Sequence, residues 1–373
     1  MPKKYEFKNF DIKLVLLLIC ITVIGILAIG SAKHSVQSKQ ILGFALGFVF
    51  MMIITFIDYS LVLKFQWLLY GGNLLLLVLV QLIGTTTNNA QRWVEILGIR
   101  FQPSETAKIL LILFYAQFII KHRENLSSFI TIAKAILLLV PPLFLIYLQP
   151  DLSTSITIVL IFCVLLYVGG LDYKIIVGVF AVLIPTAIIA LFIILQPDQT
   201  IIKPYQQERI LAWLQPEKYA LTTAYQTQNS IIAIGSGQLT GKGLNNNEVG
   251  SVKNGNYISE PQTDFIFAVI GEELGFAGGS IVILLLVFIV MECFAIARRA
   301  KDIAGTLIAA GVGSIIMFQT FINISVATGI IPNTGIPLPF VSYGLTSLVS
   351  LYIGMGFVLN VGLQRPRANT LGN

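Results

Sequence analysis

Apolar runs close to twenty residues long recur along this chain, and they constrain its fold more than any other feature. They lie at about 11–32, 39–58, 61–84, 103–120, 131–148, 152–169, 173–195, 274–297, 304–331 and 340–363. A helix of ~20 apolar residues crosses the ~30 Å hydrocarbon core of a bilayer, where the backbone finds no water and must satisfy itself. The pattern predicts an all-α polytopic membrane protein with about ten transmembrane helices. Of 373 residues 56% are hydrophobic and only 11% charged. That is about half the charged share of a soluble protein, so residues 1–373 read as a single integral membrane domain. The first run, about 22 residues with no small-residue cleavage site after it, is not expected to be a cleaved signal.

Lys and Arg in short loops set the orientation. With the N-terminus in the cytoplasm, that side holds Lys3, Lys4, Lys8, Lys64, Lys121, Arg123, Lys174, Arg298, Arg299, Lys301, Arg365 and Arg367. The opposite short loops hold Lys33, Lys39, Arg92 and Arg100. Both termini are therefore expected in the cytoplasm. The net charge of +6 then follows from topology and is no sign of nucleic-acid binding. Cys20, Cys163 and Cys293 fall within spans, so no disulfide is expected.

Four connections carry the polar motifs, and all emerge on the outer side: 88–108, 149–154, the long 196–273 segment and 330–347. Most of the 18 acids lie there, namely Glu95, Glu105, Asp151, Asp198, Glu208, Glu217, Glu248, Glu260, Asp264, Glu272 and Glu273. The stretch GSGQLTGKGL (235–244) superficially resembles a nucleotide loop. Its glycine spacing is wrong, and Gly243 stands where Ser or Thr would bind magnesium. No nucleotide is expected as cofactor. A reaction on this face must draw on a substrate that arrives activated, and a lipid-linked diphosphate is the obvious candidate.

In FQPSETAK, Pro103 suits a first helical turn and Glu105 the positive end of the dipole. Lys108, three residues on, shares its face. The two read either as a structural ion pair or as Lys108 meeting an anionic substrate with Glu105 holding it. In QPDLSTS, Asp151 reads as a helix-start acid whose location keeps a binding role open. Arg92, beside Trp93, suits a bidentate grip on diphosphate. Arg209, Lys218 and Lys242 read as solvated loop residues.

From Asp264 to Arg299 a continuous helix would be about 54 Å long, against the ~30 Å core. A separate short outer helix over 264–270 is therefore expected, broken near Gly271 and Gly275. Glu260–Pro261 reads as its start, placing an ionised Asp264 in the first turn. There it could act as a general base at the water–lipid boundary or as a simple helix-start acid. Glu272 and Glu273 read as pairing residues. The outer loop 196–263 is expected to hold short interfacial helices over 205–220 and 224–237, and 239–257 is Gly/Asn-rich.

AQRWVEILGIRFQPSETAK, QPDLST, AYQTQNSIIAIGSGQLTGKGL, EPQTDFIFAVIGEELGF and TGIIPNTGIPLPFVSYGLTS together resemble the SEDS family, the RodA and FtsW group. They cover all four outer connections in order, and FIDYSLVLKF looks more like the RodA branch. The resemblance implies a peptidoglycan glycosyltransferase that polymerises lipid II, a disaccharide-peptide on undecaprenyl diphosphate. It implies a class B penicillin-binding protein as partner and leaves room for a divalent cation, Mg or Mn. It places the essential acid on Asp264, the outer Glu and Lys on Glu105 and Lys108, the Arg-Trp on Arg92 and Trp93, and the last motif's polar end on Ser342. The chain departs from the family where Gln262 replaces a frequent His, so no His partner for Asp264 is expected. It departs again at Gly344, Leu345, Thr346 and Ser347, and at Asn323, Ile324, Ser325 and Val326, which lowers the weight of those positions. A lipid flippase and a non-catalytic scaffold for the penicillin-binding protein are the alternatives.

Overall fold

The computed structural model describes residues 7–87, 90–96, 99–196, 199, 202, 204–245, 251, 255 and 257–364. Lys3, Lys4, Asp198, Glu248, Arg365 and Arg367 lie outside the described residues, as does much of 239–257. The helices are α1 (Ile12–Ala32), α2 (His34–Thr55), α3 (Tyr59–Lys64), α4 (Gln66–Ile83), α5 (Pro103–Lys121), α6 (Phe129–Leu148) and α7 (Leu152–Val168). They continue with α8 (Tyr173–Ile194), α9 (Pro204–Leu214), α10 (Tyr225–Ser236), α11 (Ile266–Arg298), α12 (Ile303–Ala327) and α13 (Leu345–Leu363). Among the described residues, 9 helices are long and apolar enough to cross a membrane, and α7, 17 residues long, is a further apolar helix. The ten apolar runs thus map onto ten helices.

Acids begin many of them. Asp11, Asp58, Asp151, Asp172 and Asp302 each accept from a backbone N–H of the first turn, where no helical carbonyl is available. This accounts for most of the acids away from the outer loops. Helices α5, α12 and α13 are buried on most of their faces, while no described residue of α8 is buried. Helix α2 lies close on α13, where a Cβ on Gly47 would come within 2.9 Å of the Tyr352 ring.

Two expectations are corrected. The third span is divided at Phe65 into α3 and α4. The last span begins at Leu345, since 340–344 belong to the outer loop, where Tyr343 N donates to Gln262 O (2.8 Å). The connection between α4 and α5 is an antiparallel ribbon, β1 (Thr85–Thr87), β2 (Ala90–Ile96) and β3 (Ile99–Phe101), in the order β1-β2-β3. The two expected loop helices are present as α9 and α10, and α11 is broken at Gly275 (φ 65°, ψ −164°). We refer to Ile266–Leu274, before that break, as the outer arm of α11.

Candidate active site

Asp264 lies immediately before the outer arm, not in its first turn, because Phe265 caps a helix that begins at Ile266. The reason is a competition for carbonyls. Three successive ones are taken from outside: Gln262 O by Tyr343 N (2.8 Å), Thr263 O by Ser342 Oγ (2.6 Å) and Asp264 O by Asn323 Nδ2 (2.8 Å). Bonds from outside compete with a helical start for these carbonyls. Asn323 also donates to Ile336 O (2.8 Å), and Ser342 Oγ accepts from Leu338 N (2.8 Å). Asn323 near the end of α12 and the α12–α13 connection together therefore grip the backbone around Asp264. Glu260 (φ 55°) and Phe340 (φ 63°) hold left-handed conformations that non-glycine residues avoid, one in each of the two gripped segments. At Gly335 (φ 73°) an added Cβ would sit 3.4 Å from Asp264 Oδ2, so the carboxylate lies against this loop.

Two guanidinium groups lie near enough to act on that carboxylate's charge. Arg92, on β2, donates through Nε to Gln149 O (3.1 Å) and through Nη2 to Pro150 O, with Nη1 4.0 Å from Asp151 Oδ1. Arg209, on α9, donates to Asn333 O (3.4 Å) and lies 5.9 Å from the Tyr205 ring centroid. Burial pushes the Asp264 carboxyl above the ordinary carboxylate range. Arg92 and then Arg209 pull it back down, and Asp151 adds to the rise. Burial and Arg92 hold the Arg209 guanidinium below its ordinary value, against Tyr205 and Asp264. The expectation of a helix-start acid stabilised in its charged form is thus replaced by a carboxylate of raised proton affinity beside two cations. Ser153 Oγ, donating to Thr334 O (2.7 Å), ties the α6–α7 turn to the same place.

The Glu105–Lys108 ion pair is present, 2.7 Å long, with side chains only 3% and 2% exposed. Ser347 Oγ donates to the other Glu105 oxygen (2.7 Å), and Thr346 Oγ1 to Arg100 O (2.8 Å). Thr346 and Ser347, two of the positions where the chain departs from the family, are therefore anchors. Lys108, sealed in this way, offers no surface to an outer ligand in this conformation. Ser342 likewise serves the Asp264 backbone. Trp93 follows Arg92 on β2, so the two point to opposite faces of the ribbon, and its carbonyl accepts from Thr85 Oγ1 (3.4 Å). Glu272 pairs with Lys242 (3.0 Å), Glu273 accepts from Ser31 Oγ (2.5 Å) and Glu260 meets Lys33 (3.2 Å), the pairing roles expected at the ends of the arm.

Arg209 and Asn323 are the residues that sequence reasoning missed. Among the described residues, no group of three or more His, Cys, Asp or Glu is placed to hold a metal ion.

A family model describing the FtsW, RodA and SpoVE cell cycle proteins matches residues 8–366. This chain belongs to that family. It is 36% identical over 371 residues to the peptidoglycan glycosyltransferase MrdB of Escherichia coli K12, covering 98% of this chain and 97% of that one. It is 34% identical over 367 residues to the stage V sporulation protein E of Bacillus subtilis, covering 94% and 96%. Among solved structures, a chain of a peptidoglycan synthase complex, described as coordinating polymerisation and crosslinking, superposes with a TM-score of 0.77 at 29% identity, covering 95% and 97%. The rod shape determining protein RodA of Thermus thermophilus gives a TM-score of 0.69 at 27% identity, covering 95% and 97%. The family membership and the multi-pass helical fold therefore stand together.

Proposed function

We propose that this protein is a peptidoglycan glycosyltransferase that polymerises lipid II on the outer face of the bacterial cytoplasmic membrane, in cell elongation and shape. The observation that carries the assignment to a site is the half-buried Asp264 lying against the Gly335 loop that also receives Arg209, with Arg92 near enough to act on its charge. A base for a sugar hydroxyl needs a carboxylate whose proton affinity lies above that of a solvated one. Asp264 takes the proton of the acceptor's 4-hydroxyl as that oxygen attacks the donor's anomeric carbon. The bond to undecaprenyl diphosphate breaks with its electron pair, and the configuration inverts from α to β. Arg92 and Arg209 offset the charge developing on the leaving diphosphate. Lys108 and Glu105, expected at the diphosphate, act in this reading by fixing α5, and Trp93 and Ser342 by fixing the ribbon and the base. A divalent cation, if one is used, enters on the diphosphate.

The relatives' names support the polymerase reading, and the peptidoglycan synthase complex supports a crosslinking partner, which we take to be a class B penicillin-binding protein. The excess of Lys and Arg in one set of loops supports cytoplasmic termini. A flippase would place polar groups near the bilayer midplane, whereas the Asp264 cluster is made of outer connections. Purified protein with lipid II and its partner should yield glycan, and Asp264→Ala should reduce it to background. Normal polymerisation by that variant would remove Asp264 from the reaction.

A further inference from the structure

The GSGQLTGKGL stretch, set aside as a nucleotide loop, has a place in the fold. Residues 237–243 lie across the break in α11. Lys242 N and Gly243 N donate to Glu272 O (3.0 Å) and Glu273 O (2.9 Å). Beyond the break, Phe276 N and Ala277 N donate to Gln238 O (2.8 Å) and Leu239 O (3.0 Å). Four of the groups orphaned by the interruption are thus satisfied by this one loop. Backbone meets backbone without intervening side chains. A Cβ on Gly237 would lie 1.9 Å from Gly271 O, one on Gly241 2.2 Å from Glu273 O, and one on Gly275 2.3 Å from Gly241 N. Around this contact Lys242 Nζ lies 3.0 Å from Glu272 Oε1, and Ser251 Oγ donates to Glu272 Oε2 (3.2 Å).

The outer arm, Ile266–Leu274, separates this contact from Asp264, and its residues Ile266 to Glu273 are buried. It is a rigid lever about 14 Å long. A tilt of about 5° at its far end moves the other by about 1 Å, and a displacement of that size costs about 100-fold in rate. We propose that the 237–243 joint sets the position of Asp264, with Lys242 and Glu272 as positioning residues for glycosyl transfer. The proposal rests on the reading of Asp264 as the base.

The test uses the purified full chain with lipid II and its partner, comparing Lys242→Met, Glu272→Gln, Lys242→Arg and the milder Ser251→Ala. In Lys242→Met and Glu272→Gln, kcat should fall about tenfold or more, with KM within about twofold. The acid limb of their pH–rate profile should move up as the carboxylate leaves its arginines. Lys242→Arg should keep most of the wild-type rate, and Ser251→Ala should show a smaller loss of the same kind. Wild-type kcat and pH profile in Lys242→Met, or a raised KM with unchanged kcat, would overturn the joint. If Lys242→Met does not accumulate, Ser251→Ala decides in the same way. Absence of product from wild type overturns the polymerase reading as well, and is distinguishable for that reason.

Discussion

Asp264 is held at a thermodynamic penalty. Its folded-state proton affinity is raised above the unfolded value, so the folded state binds the proton more readily. Stability is full below the unfolded pKa and is lost as pH rises toward and through the folded one. At neutral pH Asp264→Asn should therefore melt higher than wild type, by about 2 °C or more, with the gap closing as pH falls. Differential scanning in detergent at pH 7 and pH 5 measures it, and a lower melting temperature at pH 7 contradicts the assignment. The base must be ionised to act, so activity should fall with decreasing pH, at a point above the ordinary carboxylate range. Arg209→Met removes a charge that pulls this point down. Its kcat/KM should drop about tenfold, and its acid limb should move to higher pH. An unmoved limb would mean that Arg209 does not face the base. Arg209 was hidden in the sequence because a single arginine in a polar loop has no local signature. Only the return of α9 onto Asn333 gives it meaning.

The spans could be read from sequence because lipid leaves a chain one local solution, the helix. What could not be read are places where a tertiary bond overrides local preference. Pro261 is a sound helix-start signal, yet the helix waits until Ile266, and Tyr343, Ser342 and Asn323 compete for the intervening carbonyls. The ribbon of β1 to β3 carries no strong alternation; it is held by pairing between its strands, by Gln91 on Gly84 O, and by Arg92 reaching Gln149 O on the α6–α7 turn. The Glu105–Lys108 spacing did predict a pair but not its burial. In a buried pair, removing one partner strands the other, at about 3–5 kcal/mol. Lys108→Met alone should therefore reduce yield and melting temperature sharply, and Glu105→Leu with Lys108→Met should recover much of both. If the single variant is as stable as wild type, the pair is not sealed. Polymerase activity in the recovered double variant would confine the pair to a structural role.

The molecule as a whole concentrates its reactive groups at one end. Turns and loops far apart in sequence meet there through Ser153 with Thr334, Arg209 with Asn333 and Thr346 with Arg100. The Lys and Arg asymmetry of the short loops is the ground for proposing that this end is the outer one. Cysteine labelling checks it: Glu217→Cys, exposed in the long loop, should react with a membrane-impermeant maleimide on intact cells, and Glu124→Cys only after lysis. The reverse pattern would turn the protein over and remove the proposed reaction from the outer face. The meeting of Gly237, Gly241 and Gly275 has a further consequence, for inheritance. A contact between side chains can drift, since each partner has close chemical relatives through which selection can walk. A contact between bare backbones has none, so a saturation library should find those three positions falling in a single step, while their neighbours degrade by degrees.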